Sequence, residues 1–316
     1  MKTYRFRNGD SVEAIGLGTW KSDPGKVGDA VKTALETGYR HIDCAAIYGN
    51  EAEVGAAFDE IFSTTDIKRE QVHVTSKLWN TAHKKEDVIP ALKKSLTDLR
   101  LDYLDLYLMH WPVAFRPDVE GFPKSDDEYL PLDEAPIIET WEAMLDAKKQ
   151  GLIRHAGVSN FSIEKLEDLR QKTDDFPEMN QVEIHPYLQQ QAMIDYGKKN
   201  SMLITAYSPL GSKDRPDPMK SDDEPSLLEN EVINSIAKKH DSTPAQVLIK
   251  WAVERDTLVI PKSTNPGRIR ENLESAEINL DDGDHAKIKE LNIPYRYLDA
   301  EMMETESDMY QDIFDD

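Results

Sequence analysis

The sequence predicts an α/β fold: a (β/α)8 TIM barrel with an N-terminal β-hairpin and long loops over the C-terminal mouth. Three observations carry that expectation. Short apolar runs alternate with amphipathic stretches through the 316 residues, and eight such repeats favour a closed parallel barrel over an open sheet. No linker or change of composition divides the chain, so 1–316 is read as a single domain with 295–316 as its C-terminal tail. No GxGxxG follows a strand and no Walker sequence occurs, so the usual open-sheet nucleotide signatures are missing.

The elements follow in order. Tyr4 to Arg7 and Val12 to Ile15 flank Asn8-Gly9, a favourable hairpin turn that could plug one end of a barrel. Asp23-Pro24 is expected to open a helix as cap and first residue, with Val27, Ala30, Val31, Ala34 and Leu35 inward, and Gly38 ends it. His41 to Asp43 is a short strand and Cys44 to Gly49 a loop. A helix capped by Asn50 with Glu53 follows, facing inward through Val54, Ala57, Phe58 and Ile61. Gln71 to Ser76 is a strand ending at Lys77, followed by a helix with Val88, Ala91, Leu92, Leu96 and Leu99 on one face. Leu104 to Met109 is the clearest buried strand and delivers His110-Trp111-Pro112. The loop from Val113 to Asp133 is long enough to suggest function. A helix with Trp141, Met144 and Leu145 stops at Gly151. Ile153 to Val158 leads to Ser159-Asn160, and Ser162 caps the next helix. Strands at Asn180 to Ile184 and Met202 to Ala206 precede a second long loop, Gly211 to Ser226. Thr243 to Gln246 is a capping box with proline at the first helical position, and Thr257 to Ile260 is the last strand.

Composition narrows the class. A hydrophobic content of 39% supplies a large core. No run approaches a membrane span, and the opening MKTYRFRNGD lacks the apolar core of a signal peptide, so a soluble cytoplasmic protein is expected. Cys44 is the only cysteine, which rules out an intrachain disulfide and a cysteine-based zinc site. Sixty acidic residues against 38 basic ones give a formal charge of −22, which makes nucleic acid a poor partner. The acids are spread along the chain, as in Ser125 to Glu128, Asp222 to Glu224 and Asp281 to Asp284. They read as a solvated coat or as adaptation to high salt. No apolar stripe argues for a protein partner, so a monomer is expected.

In a closed barrel the strand C-termini meet at one mouth. Asp43, Tyr48, Lys77, His110, Asn160, Gln181, Ser208 and Lys262 are therefore expected to share a space. A buried Asp43–Lys77 pair beside Tyr48 would lower the phenol from about 10 toward neutrality and make it a proton donor, with His110 orienting a polar substrate atom. Singly, each has a plain structural alternative. Together they are costly to bury without a function. Lys262, Ser263, Arg268 and Asn272, at the end of the last strand and the start of a helix, suit a phosphate held on free backbone amides.

From end to end the sequence resembles the aldo-keto reductases. The resemblance lies in Gly16 to Trp20, Gly38 to Asp43 through Tyr48, Ser76 to Trp79, His110 to Pro112, Gly157 to Asn160, Asn180-Gln181 with His185 to Tyr187, Ala206 to Gly211 and Ile260 to Ser263. It implies an aldehyde/aldose reductase-like oxidoreductase acting on carbonyl groups, with NADP(H) preferred, NAD(H) possible and no metal. Tyr48 would be the proton donor, tuned by Asp43 and Lys77, and His110 would orient the carbonyl. Tyr207 would stack on the nicotinamide, whose carboxamide would meet Ser159, Asn160 and Gln181. Lys262, Ser263, Arg268 and Asn272 would hold the adenosine phosphate, and Glu271 would touch the adenine. Lys21 and Asp214 would latch the second long loop over the cofactor, with Ser208, Leu210 and Ser212 beneath it and Thr19 and Trp20 beside it. Trp20, Trp79, Trp111 and Phe122 would wall the substrate pocket. Asn265 and Gly267 depart from the commoner residues of the motif, and the acidic tail, with Met302, Met303, Tyr310 and Phe314, takes the place of the family's specificity loop. Two other readings stand beside this one: a cofactor-binding barrel with a structural or regulatory role, and a metal-dependent hydrolase using His41 and Asp43 on one strand face.

Overall fold

The hairpin forms around the Asn8-Gly9 turn. In the computed structural model, β1 (Thr3–Arg5) pairs antiparallel with β2 (Ser11–Glu13). The structure describes residues 1–216, 219–221, 223–307 and 309–315, so Asp222 of the second acidic run and Asp316 of the tail lie outside the described residues.

Eight further strands make one sheet: β3 (Leu17–Gly18), β4 (His41–Asp43), β5 (His73–Leu78), β6 (Leu104–Met109), β7 (Ile153–Ser159), β8 (Met179–Glu183), β9 (Leu203–Tyr207) and β10 (Leu258–Val259). Their order in the sheet is their order in the chain. The β5–β6, β6–β7 and β9–β10 registers are parallel. Parallel bridges from Ile15 to Val259 and from Gly18 to Lys262 join the start of the series to its end, as an eight-stranded barrel requires. Gly18 is needed there, because a Cβ at this position would sit 2.8 Å from the Ile260 carbonyl oxygen. All residues of β5 and β6 are buried, which explains why these strands read as near-continuous apolar runs.

The contacts group into two compact units, Met1–Ile42 with Gln181–Asp299, and Asp43–Asn180 with Ala300–Asp316. In the first, Lys2 Nζ and Tyr4 Oη both donate to the Val253 carbonyl at 2.9 Å, fastening the hairpin to the end of α8 (Pro244–Glu254), just ahead of β10. The Thr243 capping box with proline at the first turn forms as expected. Helix α1 (Val27–Thr37) buries Val27, Ala30, Val31, Ala34 and Leu35 but does not begin at Pro24. Gly25 between them takes φ +77°, a left-handed value that no helix propagates, so Pro24 to Lys26 turn and the helix starts three residues later than the proline suggested.

In the second unit, α2 (Glu51–Thr64) buries Val54, Ala57, Phe58 and Ile61. Asn50 holds the N-cap position but makes no side-chain cap bond, so the expected capping box is not formed. Helices α3 (Lys85–Leu99) and α4 (Ile137–Lys149) turn the expected stripes inward, with Ala91 and Leu145 half-buried at the rims. Ser162 caps α5 (Ile163–Arg170) by accepting from the Lys165 amide. The loop after β6 is organised by a Phe115–Tyr129 bridge, and the C-terminal segment fastens to it. Tyr310 Oη donates to the Leu130 carbonyl at 2.8 Å, and Asp126 accepts the amides of Glu306 and Ser307 at 2.9 and 2.8 Å. Among the described residues no helix is long and apolar enough to cross a membrane.

Candidate active site

Asp43 ends β4, Tyr48 closes the 3-10 turn that follows, Lys77 lies in β5, and His110 follows β6. Lys77 is fully buried. Its ammonium pairs with Asp43, donates to the Cys44 carbonyl at 2.8 Å and reaches the Tyr48 hydroxyl at 3.4 Å. Burial alone would drive the lysine toward neutrality. The Asp43 carboxylate and the Tyr48 phenol outweigh that and hold it above its ordinary value, so the group stays a cation. The expected descent of the Tyr48 phenol toward neutrality does not occur. Burial pushes it up to about 12, and Lys77 only offsets part of the rise. The phenol therefore keeps its proton at neutral pH.

The His110 ring stands edge-on to Tyr48, with centroids 6.0 Å apart, and lies 5.4 Å from Trp79. Burial, with the nearby Lys77 cation, holds its imidazole well below its usual range, so it is neutral. His110 Nδ1 is buried without a hydrogen-bond partner among the described residues. Asn160, in a left-handed conformation at φ +63°, donates to the His110 carbonyl at 2.9 Å and to Ser159 Oγ at 3.2 Å. Of the expected wall residues, Trp79 packs edge-on against Phe115 and Phe122, each at 5.7 Å, and Trp111 lies 6.1 Å from Phe314. Trp79 and Trp111 share an apolar cluster with Met303, Tyr310 and Ile313 of the C-terminal segment. The tail thus packs against these two expected wall residues. Phe122 is 40% exposed at the rim.

The other unit holds the second group. Lys21 Nζ donates to Ser212 Oγ at 2.9 Å and Asp214 Oδ1 at 2.8 Å, while Lys262 Nζ reaches Asp214 Oδ2 at 2.6 Å. The Lys21 ammonium also lies over the Trp20 ring, 4.0 Å from its centre. Burial lowers Lys21 to about 8, with Asp214 resisting. Burial works to raise Asp214, but its bonds to the two lysines outweigh it and bring the carboxyl down to about 2. Ser208 and Ser212 take positive φ on either side of half-buried Leu210. Thr19 and Gln181 are buried, and Tyr207 is half-buried at the end of β9.

At the last strand, Ser263 Oγ accepts the Asn265 amide at 3.1 Å, and Asn265 caps α9 (Pro266–Glu274) by accepting the Arg268 amide at 3.0 Å. One helix-terminal amide expected to be free is therefore already engaged, because asparagine is a strong capping residue. Glu271 receives the Thr243 hydroxyl at 2.7 Å, and Asn272 is buried. The Arg268 side chain is exposed and pairs with no acid among the described residues, in a chain where acids outnumber bases 60 to 38. An exposed guanidinium in the first turn of α9, close in sequence to Lys262 and Ser263, fits a phosphate-bearing cofactor.

The metal alternative finds no such support. His41 Nδ1 lies 3.2 Å from the Glu13 carbonyl oxygen while Asp43 pairs with Lys77, and the described residues contain no group of three side chains able to hold a metal ion. Sequence reasoning passed over Glu183, Arg215 and Tyr297, which are buried, and half-buried Glu224, which together form a network in the first unit. The available signals were an arginine inside an acidic loop and a glutamate two residues before the His185 to Tyr187 motif.

Comparison with known proteins agrees with this geometry. The sequence profile of the Aldo/keto reductase family matches residues 14–293. The chain is 51% identical over 301 residues to Aldo/keto reductase slr0942 of Synechocystis sp., covering 95% of this chain and 92% of that one. It is 48% identical to Aldo-keto reductase family 1 member A1 of Gallus gallus, covering 92% and 89%, and 46% identical to the Homo sapiens protein of the same name, covering 93% and 90%. The solved aldose reductase structure from Schistosoma japonicum superposes with a TM-score of 0.86 at 36% identity, covering 98% of this chain and all of that one. Fold and matches define an α/β-barrel oxidoreductase. More narrowly, the chain belongs to the aldo/keto reductase family, whose enzymes act on carbonyl substrates and typically use NADPH.

Proposed function

We propose that this protein reduces aldehydes, and ketones less readily, to alcohols with NADPH, with Tyr48 giving the proton. The observation that carries the proposal is the Tyr48 hydroxyl 3.4 Å from a fully buried Lys77 paired with Asp43, beside a neutral His110. The bound cofactor would supply a hydride to the carbonyl carbon. As negative charge grows on the carbonyl oxygen, Tyr48 passes its proton to that oxygen, and the phenolate left behind faces the Lys77 cation. A phenol near 12 does not leak its proton to water at neutral pH, yet an alkoxide is basic enough to take it. Neutral His110 presents a ring nitrogen that orients the carbonyl, and Asp43 keeps Lys77 charged.

Lys262, Ser263, Arg268 and Asn272 would hold the adenosine phosphate, with Glu271 at the adenine. Ser159, Asn160 and Gln181 would meet the carboxamide, and Tyr207 would stack on the nicotinamide. Lys21 with Asp214 would close the second loop above Ser208, Leu210 and Ser212, beside Thr19 and Trp20. Trp20, Trp79, Trp111 and Phe122 would enclose the substrate, and their aromatic faces suit a broad range of aldehydes, with reduction of aldoses such as xylose as a narrower variant.

The deciding experiment follows NADPH absorbance on addition of small aldehydes, aromatic aldehydes and aldoses, with Tyr48→Phe as control. Turnover by the wild type that vanishes in the variant is the expected result. Binding of NADPH without turnover of any carbonyl would replace this proposal with a regulatory barrel.

A further inference from the structure

Glu183 ends β8 and is buried with 1% of its surface exposed. Its carboxylate accepts the Tyr297 amide at 2.6 Å and the Leu298 amide at 2.9 Å, and lies 2.8 Å from His185 Nε2. A buried carboxylate is tolerated only when it is well hydrogen-bonded, so these bonds fix the chain at the start of the C-terminal segment. The Tyr297 side chain meets the second long loop instead. Its hydroxyl donates to the Pro225 carbonyl at 2.6 Å, its ring lies 5.1 Å from the Arg215 guanidinium, and a Cβ on Gly211 would come within 3.0 Å of its hydroxyl.

Arg215, only 2% exposed, gathers that loop by donating to the carbonyls of Gly211, Ser212 and Met219, each at 3.2 Å, and by pairing with Glu224. The same loop carries Ser212 and Asp214, the partners of Lys21. Among the described residues Glu183 makes no hydrogen bond to the loop; Tyr297, with a smaller contribution from Tyr295, whose hydroxyl lies 3.1 Å from Ser221 Oγ, links the two.

We propose that Tyr297 is a positioning residue that couples the 211–226 loop to the C-terminal segment, so that the loop's closure depends on how Glu183 anchors the tail. That closure acts on the cofactor only if the function proposed above holds; the mechanical coupling does not depend on it.

Limited trypsin digestion of the cofactor-free protein tests the coupling, read at Lys213 and Lys220, for Tyr297→Phe and Glu183→Gln. Tyr297→Phe keeps the ring and loses the bond to Pro225. Glu183→Gln weakens the tail anchor and alters no hydrogen bond to a described residue of the loop. Tyr297→Phe should speed cleavage at these two sites by roughly 2- to 12-fold, the range for loss of one neutral hydrogen bond, and Glu183→Gln, which weakens two bonds to a carboxylate, by at least as much. In parallel, the NADPH dissociation rate measured by stopped-flow fluorescence should rise by a similar factor. Unchanged cleavage in Tyr297→Phe, acceleration in Tyr297→Phe but not in a folded Glu183→Gln, or acceleration spread equally over the whole chain would each overturn the coupling. If Glu183→Gln does not fold, Tyr297→Phe decides alone. A wild type that binds no NADPH would defeat the functional reading and leave the digestion to judge the coupling.

Discussion

A phenol that donates a proton must first keep it, and burial secures that for Tyr48 more firmly than a neighbouring cation alone would suggest. The sign of the pH dependence follows. The proposed donor, Tyr48, is protonated below about 12, and His110 is already neutral well below its ordinary range, so kcat should be flat from about pH 6 to 8 in a pH–rate profile. A bell centred near 7 would contradict this. Replacing Tyr48 with phenylalanine should lower kcat/KM for aldehydes by roughly 10²- to 10⁴-fold, the usual weight of a general acid, with NADPH affinity retained. A titration calorimetry measurement beside the kinetics separates the two effects. Nearby, buried His83 is held neutral, its imidazole lowered to about 3 by burial. Its folded value lies below its unfolded one, so the unfolded chain binds the extra proton. Stability is therefore whole above about pH 6.5 and is lost as pH falls toward 3, at about 1.4 kcal/mol per pH unit for this one group. Urea unfolding of wild type and His83→Asn between pH 4 and 7 should show the shallower slope in the variant.

At the scale of elements, the helix ends carry separable stability. Asn230 caps α7 (Glu231–Lys239) by accepting the amides of Val232 and Ile233 at 2.9 and 3.2 Å, and it also donates to the Tyr187 hydroxyl at 2.9 Å. Asn230→Ala should cost about 0.5–2 kcal/mol in urea unfolding, with the m-value unchanged. Caps of this kind were legible at Ser162 and Thr243 because the signal is local: a short polar side chain folding onto amides two or three residues ahead. The start of α1 was not, since Asp23-Pro24 carries the same local signal and only the left-handed Gly25 cancels it. Asn50 likewise has the right neighbours and the right position but a backbone of φ −122° and ψ 6° instead of the extended cap geometry.

Across the whole molecule, the formal charge of −22 sets the behaviour in solution. Like charges spread over the surface repel one another, and at 0.15 M salt the screening length is still about 8 Å. Thermal unfolding should move to higher temperature as salt is raised from a few millimolar toward molar. A curve flat over that range would count against adaptation to high salt. The exposed ion pairs, such as Lys85–Glu142 and Lys213–Glu229, contribute little to this balance because water and salt screen them.

The barrel was legible in the order of residues, because strand and helix periodicity, turn residues and caps are short-range signals repeated eight times. The sequence also named Asp43, Tyr48, Lys77 and His110 through their places at strand ends, and Lys21 with Asp214 through resemblance. Tertiary structure alone decided the electrostatic state of Tyr48, since the contest between desolvation and the Lys77 charge depends on how completely both are buried. Only the fold, too, could bring Tyr297 onto Glu183, 114 positions away in sequence, and onto the 211–226 loop. Amides bonded to a distant carboxylate leave no periodicity and no motif behind, so nothing in the order of residues announces them.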